Sequence, residues 1–110
     1  METGQISLKL NLSHNLYRVP DGAYEIHFSL YTEPQKGILI WTEKQEDVLI
    51  KNAKLKANIG VNRPVRNLLW AYQILFLEVD MKHKGEKIKF DHRFKLRYAV
   101  QPTTAKVGEH

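Results

Sequence analysis

The sequence predicts an all-β domain, an antiparallel β-sandwich of about seven strands, and three observations predict it. First, apolar and polar residues alternate: Ile6, Leu8, Leu10 and Leu12 fall on one parity, Gln5, Ser7, Lys9 and Asn11 on the other. A period of two belongs to a strand with one buried face. Second, turn chemistry recurs between such segments, at Pro20-Asp21-Gly22, at "TEPQKG", at Asn52 and at "KHKGEK". Third, 110 residues with 43% hydrophobic and 26% charged residues are enough for one domain around one core. The domain is expected over residues 1–101, with 102–110 as a flexible C-terminal tail.

The first strand is "QISLKLNL". The turn after it uses Pro20, which fixes φ, and Asp21-Gly22, which tolerate positive φ. In "DGAYEIHFSLYTE", Tyr24, Ile26, Phe28 and Leu30 face inward and form the structural core, while Glu25, His27 and Ser29 form the outer face. "ILIWTEK" is a third strand, with Leu39 and Trp41 on one face and Ile38 and Ile40 on the other; Trp41 belongs to the core. The acids Glu43, Glu46 and Asp47 are expected at a turn, and "EDVLIKNAKLKANIG" as two short strands around Asn52, closed by Gly60. In "VNRPVRNLLWAYQ", Pro64 opens a short helix near residues 64–71 with Asn62 as its cap, or the segment is a wide loop. "ILFLEVDMK" is a strand with Leu75, Leu77, Val79 and Met81 inward. The last strand is long: Ile88, Phe90, His92, Phe94, Leu96, Tyr98 and Val100 share one parity. Fully extended it reaches roughly 40 Å, unless it bends or switches sheets midway.

Composition removes several function classes. With no cysteine there is neither a disulfide framework nor a thiolate metal site. The five histidines, His14, His27, His83, His92 and His110, contain no i, i+2 or i, i+4 pair, so no metal is expected. No G-x-S-x-G elbow, P-loop or G-x-G-x-x-G occurs. No enzyme and no cofactor are expected. "METGQISLKLNLS" has no basic n-region followed by an apolar h-region, so no secretory signal is expected. The most apolar run, "LLWAYQILFLEV", is too short and too interrupted to span a bilayer.

The net charge of +5 is carried entirely by residues 82–97, which hold seven cations and two anions. On the outward parity stand Lys87, Lys89, Asp91, Arg93, Lys95 and Arg97, five cations and one anion. Such a ladder repels itself on a sheet face. It is a docking strip for an anionic partner surface, or an edge strand kept soluble by lysine. The aromatics Phe90, Phe94 and Tyr98 have the opposite parity, which disfavours nucleic acid, since bases stack on aromatics set among the cations. Trp70 and Tyr72, in the irregular segment, are candidates for contact with a glycan or a protein partner.

Asp21-Gly22-Ala23-Tyr24 with Phe28, Leu30 and Tyr31, then Ile40-Trp41-Thr42-Glu43, then Val48, Ile50, Asn52, Leu55, Ile59 and Gly60, resemble a β-rich module of phage tail-fibre proteins and secreted bacterial surface proteins. That module runs D-G-x-Y-x-x-x-F-x-L-Y, then L-W-x-E, then V-x-V-x-N-G. Here Asn52-Ala53 stands in place of N-G, and Arg97 in place of the closing proline. The resemblance implies a scaffold and not a reaction: an adaptor, fibre or decoration subunit of a phage tail or contractile injection particle. Such a subunit is assembled in the cytoplasm and oligomeric with itself or its neighbours. A glycan-binding adhesion module is the other reading.

Overall fold

The structure, a computed structural model, describes residues 4–12, 19–90, 92–98 and 106–107. It is all-β with one short helix and a sandwich-like fold. The elements are β1 (Ile6–Asn11), β2 (Gly22–Tyr31), β3 (Leu39–Lys51), β4 (Lys54–Ile59), α1 (Arg66–Tyr72), β5 (Ile74–His83), β6 (Glu86–Lys89), β7 (Phe94–Arg97) and β8 (Lys106–Val107). All pairings are antiparallel, in the order β1-β4-β3-β2-β5-β7-β8, with β6 also pairing β5. The path curls so that its ends, β1 and β8, come close to each other. One cluster fills the interior, and it includes Leu8, Tyr24, Ile26, Phe28, Leu30 and Trp41, as the alternation predicts.

Several expectations are corrected. "ILIWTEK" and "EDVLI" are a single strand, β3, of 13 residues. Opposite Glu25, β3 carries two residues, Glu46 and Asp47, and Asp47 has φ 57°. This bulge flips the inward parity from Trp41 and Glu43 to Val48 and Ile50. The acids therefore lie in a strand and not at a turn, and Glu43 is buried. Leu39 does not join Trp41 inside: a second register shift at Ile40 leaves Leu39 exposed.

The long last strand is interrupted. β6 and β7 pair successive stretches of one edge of β5, and the four residues 90–93 stand opposite two, Val79 and Glu78. A straight 40 Å strand would exceed the longest dimension of the molecule, 35 Å. Because of this detour His92 is exposed and not inward, packing its ring obliquely on Phe94 with 5.2 Å between centroids.

The irregular segment is a helix, α1, but Asn62 is not its cap and Pro64 precedes its first turn. Val65 is the N-cap and gives no side-chain bond. The Gly4 carbonyl accepts from the N–H groups of Val65 and Arg66 instead, at 2.9 and 3.1 Å. Gly60 makes this approach possible, since a Cβ there would stand 2.8 Å from that carbonyl oxygen. Part of the tail expected to be loose forms β8, pairing Val107 with Leu96 and Lys106 with Arg97. His14, His110, Asp91 and Val100 lie outside the described residues.

Candidate interaction surface

The polar residues of the motifs turn out to hold loops. Asp21 accepts the backbone N–H of Asn52 at 2.9 Å, tying the start of β2 to the β3–β4 turn. Gly22 has φ 151°, and a Cβ on it would lie 2.7 Å from the ring of His83. Tyr24 donates its hydroxyl hydrogen to the Pro20 carbonyl at 2.7 Å and stacks on His83 with 4.4 Å between centroids. Burial first, and the charge of Asp21 second, hold its phenol pKa above the ordinary value. Trp41 donates through Nε1 to the Arg63 carbonyl at 3.0 Å. Glu43 accepts from the Asn62 N–H at 3.1 Å and from Gln45 at 2.8 Å, and Gln45 also donates to the Asn58 carbonyl at 2.7 Å. β3 and β4 pair at only two positions, Ile50–Leu55 and Lys51–Lys54, so these side chains bridge the gap where the ladder stops.

The outer face of β2 is as expected. His27 is exposed, and its Nε2 lies 3.7 Å from Glu25, which also meets Lys44 at 3.5 Å. Across the sheet, Lys44, His27, Asp80 and Lys89 form one row, and Glu25, Lys82 and Lys87 the next. Among the described residues no group of three or more His, Asp or Glu is arranged to hold a metal.

The basic strip is divided between two strands. Lys87 and Lys89 are on β6; Lys95 and Arg97 are on β7. Arg93 lies between them and is committed inside the chain. Its guanidinium sits 3.6 Å from the centroid of the Tyr31 ring. It donates to the Glu33 and Lys36 carbonyls at 2.8 and 2.7 Å and lies 3.7 Å from Glu78. Sequence parity placed Arg93 outward but carried no sign of the 32–38 loop folding over it. Glu43 was missed as well, although its parity with Trp41 was the available signal.

The segment around α1 leaves apolar side chains on the surface. Trp70 is 61% exposed, Tyr72 48% and Ile74 39%, while Leu69 and Leu75 beside them are buried. The backbone brings this segment to the strip: Ile74 pairs with Arg97, Phe76 with Lys95, and Tyr98 donates to the Gln73 carbonyl. Ile74 thus stands beside Arg97 at one corner of the sheet, directly after the helix that carries Trp70 and Tyr72. Among the described residues no helix is long and apolar enough to cross a membrane. No curated protein and no solved structure matches the chain. A family match covers residues 10–96, and the chain belongs to that family, described as Domain of unknown function (DUF8740).

Proposed function

We propose that the domain is a non-enzymatic assembly module that works by protein–protein contact. One observation carries this reading. The polar motif residues Asp21, Tyr24, Trp41 and Glu43 are engaged in holding loops, whereas bulky apolar side chains at Trp70, Tyr72 and Ile74 are left open to solvent on the segment that leads into the pairing of Ile74 with Arg97. Exposed aromatics are contact chemistry, since aromatic and arginine side chains dominate protein interfaces. The resemblance of the motifs extends the proposal to a subunit of a phage tail or contractile injection particle, assembled in the cytoplasm.

The test is Trp70→Ser with Tyr72→Ser in the full chain. Both residues are exposed, so melting should stay within about 0.5 kcal/mol of the parent. Association with the native neighbours should be lost, as followed by co-purification under native conditions. Retained association would refute the role of this corner. The second reading, a glycan-binding adhesion module, is favoured by the exposed Trp70 ring, which could stack on a sugar. With Trp41 buried, Trp70 is the solvent-facing tryptophan, and quenching of its fluorescence by an oligosaccharide would move the assignment to that reading.

A further inference from the structure

The β5–β6 hairpin closes with Lys84-Gly85, both at positive φ (50° and 82°), the geometry of a tight two-residue turn. It sets Lys82 directly opposite Lys87. Like charges in that position destabilise a sheet. The neighbour across β2 is Glu25, but its carboxylate is turned to Lys44 and His27. Among the described residues Lys82, Lys84, Lys87 and Lys89 form no ion pair, and all four are exposed. β6 pairs β5 on one side and, among the described residues, no strand on the other.

We infer that the edge of β6 away from β5 takes an extended acidic segment of a neighbouring protein subunit as an added strand. The segment's carboxylates lie at alternate positions, set against Lys87 and Lys89. Alternate residues of a strand share one face and repeat at about 6.6 Å, so a strand with acids at i and i+2 meets both lysines while its backbone pairs the edge. An anion there would also relieve the repulsion between Lys82 and Lys87. The surface favours a protein strand over a uniformly anionic polymer because Asp80 and Glu25 share the lysines' face, paired with Lys89 and Lys82, and would repel a polyphosphate. No aromatic side chain points outward on β6 to stack a base.

The inference rests on the chain being a contact module, and it concerns a different surface from Trp70 and Tyr72. The probes are a synthetic peptide of alternating Thr and Glu, a peptide of the same composition with its glutamates in one block, and inorganic polyphosphate. Binding to the full chain is measured by fluorescence anisotropy, and contact by amide exchange. The alternating peptide should bind best, weaken with salt and slow exchange of the 86–89 amides. Lys87→Glu should bind it at least about tenfold more weakly, since like charges then face each other. The same change should raise the melting temperature of the free protein, because Lys82 gains an opposite charge. Absence of peptide binding, equal or tighter binding of the block peptide or polyphosphate, or a lowered melting temperature in Lys87→Glu would each overturn the inference. Trp70→Ser with Tyr72→Ser should leave peptide binding intact, so failure here is separable from failure of the assembly reading.

Discussion

Arg93 shows how one side chain can be worth more to a fold than its neighbours of equal charge. It joins three elements: Tyr31 at the end of β2, the loop carrying Glu33 and Lys36, and Glu78 on β5. Hydrogen bonds to a charged donor are among the stronger ones, so Arg93→Ala should destabilise by about 2 kcal/mol. Lys95→Ala, by contrast, should stay within about 0.5 kcal/mol. Arg93→Lys should not rescue, because an ammonium lacks the planar fork that reaches two carbonyls and stacks on a ring. Urea melts of the three variants check this. Tyr24 is a second such residue. A phenol whose pKa is raised by folding gives stability that is complete below its unfolded pKa, about 10, and fades as pH rises through the folded value. The parent should therefore lose stability above about pH 10, and Tyr24→Phe should lack that loss while costing about 1 kcal/mol near neutrality for the missing bond to Pro20. Melts across the alkaline range decide it, and parallel pH slopes would show that the phenol is not held neutral. At Ala53 the turn imposes φ 57°, next to Asn52 at 54°. Alanine pays about 1 kcal/mol for that conformation, so Ala53→Gly should raise stability by a similar amount.

At the scale of elements, β2 is the organising strand, because it lies between β3 and β5 and its inward side chains reach the whole core. Phe28→Ala should cost about 3–5 kcal/mol and largely unfold the domain, whereas His27→Ala on the opposite face should cost far less. Thermal melts in which the two were equally damaging would reverse the face assignment. Legibility followed the same physics. β1, β2 and β5 were readable because each keeps one parity from end to end. β3 was read as two strands because the bulge at Glu46-Asp47 adds one residue and flips the pattern midway. The last strand failed in the opposite way. Its detour at 90–93 adds two residues, which preserves parity, so nothing in the alternation marks the break between β6 and β7. The cap of α1 was hidden for a third reason: it is a backbone carbonyl from Gly4, distant in sequence and without a side-chain signature.

At the scale of the molecule, Arg93 of the strip belongs with the residues that hold the fold, and Trp70 and Tyr72 are left open to solvent. The motif residues Asp21, Tyr24, Trp41 and Glu43 were legible as motifs but not as loop staples, since the partners across their loops are backbone groups. The proposed contact surface was legible only as exposure: Trp70 and Tyr72 are exposed, and Arg97 pairs with Ile74 just after them. The strip as a single ladder was not, because it depended on the unbroken last strand. The most direct test of the central claim, that this domain works by joining other subunits, is the native mass of the untagged chain taken from the cells that make it. The account predicts a defined complex, with itself or with neighbours, from which Trp70→Ser with Tyr72→Ser releases a folded single chain. A wild-type protein found at single-chain mass throughout, with no bound protein, would contradict it.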